Sequence, residues 1–213
     1  METILVAGAN GKTGREIIEI LKGMPGYKPL AMIRKEEQKA TFDLMEVDTV
    51  LADLEGDLRD AVKGVDRVIF AAGSGGHTSP QKTIDVDQEG AINLIDQSKA
   101  ANVHKFIMLS SMGADDPSKG EEELHHYLKA KKVADDHLRA SFLDYTIIRP
   151  GYLTDGEKSG KIKAAGSLGK PGKISRKDVA QVLVSSLAPG VAQNKVIEIY
   201  EGNTAIELAL AEF

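Results

Sequence analysis

Ile4-Leu5-Val6-Ala7-Gly8-Ala9-Asn10-Gly11-Lys12-Thr13-Gly14 is the stretch that decides how this chain reads. A short apolar run of strand character leads into three glycines spaced GxxGxxG, and Ile17, Ile18, Leu21 and Met24 then recur at helical spacing. Glycine at such a junction lets the chain turn sharply, lets backbone amides come close to a guest, and lets the helix pack tightly on the strand. The helix start presents N–H groups with no partner inside the helix, at the positive end of its dipole. The expected guest is therefore a phosphate, held around Gly8, Asn10, Gly11, Lys12, Thr13 and Gly14.

Outward from this turn the pattern repeats. Apolar runs at 4–7, 29–34, 47–52, 67–71, 106–110, 146–149 and 196–200 predict seven strands. Ile84, Ala91, Ile92, Leu94 and Ile95 mark a helix between the fourth and fifth runs, Leu124, Leu128, Val133, Ala134 and Leu138 one before the sixth, and Val179, Val182, Leu183 and Leu187 one before the last. Ser175, three places before Asp178, suits a helix cap. The alternation predicts an α/β fold of three layers, doubly wound, in which one mainly parallel seven-stranded sheet has a helix after each strand. Segment 151–173 stands apart, with Gly151, Gly156, Gly160, Gly166, Gly169 and Gly172 among Lys158, Lys161, Lys163, Lys170 and Lys173. It reads as a mobile loop with room for a short hairpin, either solvated or acting as a lid near the substrate site.

Length and composition bound the rest. The 213 residues suit one domain, 1–213, and leave no room for a second full substrate domain. Without cysteine there is no disulfide, thiolate nucleophile or zinc-thiolate site. A net charge of −5 gives nucleic acid no global attraction. The acidic start Met1-Glu2 lacks the features of a signal peptide, and no apolar stretch approaches the roughly 20 residues of a membrane span, so a cytoplasmic location without membrane partners is expected. His125 and His126 are helix neighbours facing different ways, and no metal site is expected.

The glycine spacing, the Tyr127-x-x-x-Lys131 pattern and Arg149-Pro150-Gly151 together resemble the short-chain dehydrogenase/reductase superfamily, especially its extended and atypical branches, the relatives of NAD-dependent epimerases and dehydratases. The resemblance covers most of the chain and implies an NAD(P)-binding Rossmann fold. It implies that Asp53 accepts from the adenine amino group while Leu54 covers the ring, and that Ala71, Ala72 and Gly73 let the cofactor ribose pass. Each also has a plainer role, Asp53 capping its loop and the small residues turning the chain. Arg34, about 20 residues after Gly14, favours NADP(H) over the alternative NAD, because a guanidinium can grip the 2′-phosphate. Glu36 and Glu37 are compatible if they point to solvent.

Tyr127 and Lys131 lie four apart on one helix face, so the ammonium is expected to lower the phenol's pKa for acid/base work and to bind the nicotinamide ribose. By resemblance a serine ending the fifth strand polarises the substrate carbonyl, with Ser111 preferred over Ser110. The family's active-site asparagine is replaced by Asp87, a departure typical of the atypical branch that puts the usual proton relay in question. The expected function is an NADP(H)-dependent oxidoreductase, or an epimerase/dehydratase-like enzyme, acting on a small carbonyl, quinone or flavin. The alternative is a non-catalytic NADP(H) sensor. Substrate identity and oligomeric state are not readable from the sequence.

Overall fold

The computed structural model describes residues 1–75 and 78–213. In chain order the first half holds β1 (Glu2–Ala7), α1 (Lys12–Lys22), β2 (Tyr27–Ile33), α2 (Lys39–Asp43), β3 (Asp48–Leu51), β4 (Arg67–Phe70), α3 (Pro80–Thr83), a π-helical turn (Ile84–Gly90) and α4 (Ala91–Ala100). The second half holds β5 (Lys105–Leu109), α5 (His125–Ala140), β6 (Asp144–Pro150), β7 (Tyr152–Thr154), β8 (Lys161–Ala165), β9 (Lys173–Ser175), α6 (Arg176–Ser185), β10 (Lys195–Glu201), β11 (Thr204–Ala205) and α7 (Ile206–Leu210).

The seven expected strands form an unbroken parallel array inside a nine-stranded sheet of order β11-β8-β10-β6-β5-β4-β1-β2-β3. Side chains alternate across a strand, and β1 shows the consequence. Ile4 and Val6 join Ile17, Leu21, Val179 and Leu183 in one core, while Leu5 and Ala7 join Leu94, Phe106 and Leu138 in the other. Both sheet faces are thus covered, which is why β4 and β5 are buried along their whole length. Strand order reverses between β1 and β4, opening a crevice at their carboxyl ends.

Two expectations need correction. No helix follows β3: the chain there runs through turns, although Leu58, Ala61, Val62 and Val65 are buried in the second core. Asp57 takes the amide and guanidinium of Arg59, and Gly64 has φ of 71°, local choices that compete with helix.

Segment 151–173 is a loop only in part: β7 and β8 lie within it and Lys173 opens β9. Lys161-Ile162-Lys163 alternates so that Ile162 is buried while both lysines are exposed, and β8 pairs antiparallel with β10 and β11 at the sheet edge. Strands β7 and β9 form a separate parallel pair, so no hairpin closes within the segment. Ser175 caps α6 as the sequence suggests, accepting from the Asp178 amide. Among the described residues no helix is long and apolar enough to cross a membrane.

Candidate functional site

Gly8 leaves β1 with φ of 82°, and a Cβ there would lie 2.6 Å from the Ala72 Cα. A Cβ on Gly14 would lie 2.1 Å from the Gly8 carbonyl oxygen. Each position admits only glycine, and together they bring the start of α1 against the strand ends. Gly11 caps α1 with no side-chain hydrogen bond, so first-turn amides are left for an outside acceptor.

A cavity of about 400 Å³ opens beside this turn. It is lined by Gly8, Asn10 and Gly11, by Arg34 after β2, by Asp53 and Leu54 after β3, and by Ala71, Ala72 and Gly73 after β4. The structure thus gathers nine expected residues around one space. Lys12, Thr13 and Gly14 do not line it. Thr13 and Gly14 are buried behind the turn, and the Lys12 ammonium pairs with Asp155 at 2.5 Å. Arg15, which the sequence reading missed, donates to Asn10 Oδ1 at 2.7 Å and fixes that side chain.

Arg34 is exposed, with its backbone amide on Gln38 Oε1, and no ion pair holds its guanidinium among the described residues. Glu36 and Glu37 are exposed. Asp53 Oδ1 accepts from the Glu55 amide at 3.1 Å, so the plainer capping role is real as well. Leu54 is buried, and its carbonyl accepts from Asn93.

Ser111 and Tyr127 share a second cavity, of about 510 Å³, to which Gly151, Tyr152, Ser167 and Pro171 also contribute. Ser110 is turned away from it: its hydroxyl donates to Asp135 Oδ2 at 2.8 Å. Lys131 lines neither cavity. It is buried beneath, with Nζ 6.0 Å from the Tyr127 ring centre, 5.5 Å from the Phe70 ring centre and 3.7 Å from Asp87 Oδ1. Asp87 sits in the π-helical turn and accepts from the Ser74 amide at 2.9 Å. Where the resemblance implies an asparagine, this chain has a counter-ion for Lys131.

A second buried pair adjoins the first. Arg149 donates to Asp135 Oδ2 from Nε at 3.0 Å, and Asp135 Oδ1 has no hydrogen-bond partner among the described residues. Asp135 lies four residues beyond Lys131, a helical spacing that could have revealed it in the sequence.

This environment corrects the expected pKa of Tyr127. Burial pushes the phenol up, and although Lys131 and Ser111 pull it down, Asp87 and Asp135 add to the rise. Burial alone would lower Lys131, but Tyr127 once ionised, together with Asp87 and Asp135, outweighs it and holds the ammonium above its ordinary value. With its pKa raised, Tyr127 is a neutral phenol at neutral pH, lying beside the buried Lys131 ammonium.

Comparison with known proteins adds family context. The model of a family described as NAD(P)H-binding matches residues 8–189. The uncharacterised sugar epimerase YhfK of Bacillus subtilis (strain 168) is 40% identical over 210 residues, 97% of this chain and 98% of that protein. A Bacillus halodurans structure provisionally assigned as an NAD-dependent epimerase/dehydratase covers 100% of both chains at 40% identity, with a TM-score of 0.96. The oxidoreductase ylbE of Lactococcus lactis is 31% identical, covering 99% of this chain and 96% of its own, with a TM-score of 0.86.

Proposed function

The chain belongs to the NAD(P)H-binding family, with a Rossmann-like fold and a pyridine nucleotide as its cofactor, and on that premise we propose an NADP(H)-dependent oxidoreductase acting on a small carbonyl, quinone or flavin. One observation carries the reading: Ser111 and Tyr127 face a common cavity while Lys131 stands one helical turn behind Tyr127. The residues fit the coenzyme. The uncapped end of α1 suits its diphosphate, the Asp53-Leu54 step suits the adenine, and the free guanidinium of Arg34 suits a 2′-phosphate. The Bacillus halodurans neighbour is named as NAD-dependent, so the preference for NADP(H) rests on Arg34 alone.

When bound in its reduced form, the nicotinamide supplies a hydride. With the coenzyme bound, Ser111 would hold the acceptor oxygen and the Tyr127 phenol would donate its proton to that oxygen. Lys131 stabilises the resulting phenolate, and solvent restores the proton. In oxidation the same groups work in reverse.

The sensor reading is favoured by one feature: Asp87 claims the ammonium that would otherwise serve Tyr127 alone. The two part on Tyr127→Phe. NADPH binding, followed by its fluorescence, should persist, while turnover in a screen of carbonyls, quinones and flavins falls by about 100-fold or more. Unchanged turnover would remove the catalytic role, and the absence of any turnover in the wild type with saturable NADPH binding would favour the sensor.

A further inference from the structure

The two cavities differ in charge. Beside the first stand Arg34, the positive end of α1 and Lys82, which is paired with Glu55, with Asp53 as the opposing carboxylate. The second is lined by Asp115, Asp116, Glu121 and Glu198 against Lys119, the one cation in its wall among the described residues. Lys119 is already engaged by Asp116 at 2.9 Å, and Glu121 accepts from the Tyr152 hydroxyl at 3.1 Å.

Glu198 is the innermost of the four, only 4% exposed. Its Oε2 accepts from the Leu168 amide at 2.6 Å, and no cation pairs with it among the described residues. Arg149, its neighbour across the β10–β6 register, is committed to Asp135. The acids form no metal-holding group among the described residues. A carboxylate in such a partly dry wall is weakly screened and acts on whatever enters.

We infer that the second cavity takes an acceptor without negative charge, neutral or cationic and carrying hydroxyl or ammonium donors, and that Glu198 is the residue that refuses anions. The inference rests on the reading of this cavity as the substrate site and sharpens it. A nucleoside-diphosphate sugar or a phosphorylated flavin would bring its charge against carboxylates, whereas their uncharged counterparts would find acceptors for their hydroxyls.

Matched acceptors test this with the reacting group held constant: riboflavin against flavin mononucleotide, and 4-(hydroxymethyl)benzaldehyde against 4-formylbenzoate. At saturating NADPH the uncharged member of a pair should have the higher kcat/KM by at least about tenfold, carried mainly in KM. Glu198→Gln keeps an acceptor for the Leu168 amide and should narrow that ratio about threefold or more. Should this variant fail to fold, Asp115→Asn with Glu121→Gln at the exposed rim should narrow it in the same direction.

Equal or better use of the anionic members overturns the inference, as does a ratio unmoved in every folded variant. So does failure of both pairs with NADPH binding intact. Loss of NADPH binding itself would instead strike the proposed function.

Discussion

The proposed preference for NADP(H) rests on Arg34, which lines the first cavity. A guanidinium unpaired among the described residues can meet a 2′-phosphate with charge-assisted hydrogen bonds, while an aspartate in its place would repel that group. Arg34→Asp should weaken NADPH by at least about tenfold more than NADH in a fluorescence titration. Equal losses would contradict the assignment.

Lys105 shows the opposite use of a cation, as a structural donor. It is 3% exposed, its ammonium donates to the Val191 carbonyl at 2.7 Å, and burial, helped by Arg67, lowers its pKa to about 8. In the unfolded chain the value returns to about 10.4. Between these limits the unfolded state binds the extra proton, so this residue's contribution to stability rises with pH. Urea unfolding at pH 7.5 and 9.5 should show the wild type gaining stability relative to Lys105→Met, and a flat or reversed difference would refute the sign.

At the scale of elements, α5 organises the candidate chemistry. Tyr127, Lys131 and Asp135 descend one face at steps of four, from the cavity to the protein interior, and Asp87 and Arg149 complete a charge-balanced buried group. Burial pushes Asp135 up even though Arg149 and Ser110 favour its ionised form, so the group is stable only as a whole. Asp135→Asn strips Arg149 of its counter-charge and should cost about 3–5 kcal/mol in urea unfolding. The exposed pair at Asp136 is the control, where Asp136→Asn should cost under about 1 kcal/mol. Similar small losses in both would show that the buried group does not stabilise the helix.

The sequence carried Tyr127, Lys131 and the oddity of Asp87 on its surface, because motif spacing displays helix faces. It did not display what Asp87 touches, since a contact between the π-helical turn and α5 depends on tertiary packing. The sign of the Tyr127 shift was missed for the same reason: proximity to Lys131 is legible, burial beside two carboxylates is not.

Across the whole molecule, the parallel array was legible because strands buried on both faces are nearly continuous apolar runs. The edge was not. β8 hides one apolar side chain, Ile162, among lysines and small residues, a composition shared with solvated loops, and its pairing is set by β10 some 30 residues away. Around it, segment 151–173 supplies a wall of the second cavity through Gly151, Tyr152, Ser167 and Pro171 and, through Asp155, meets Lys12 at the start of α1.

Everything proposed here turns on a coenzyme diphosphate at that helix start. A crystal structure of the protein with NADPH should show diphosphate density against the first-turn amides after Gly11, with the 2′-phosphate at Arg34 and the nicotinamide reaching toward Tyr127. NADPH bound elsewhere, or a glycine turn closed against it, would rule the proposal out.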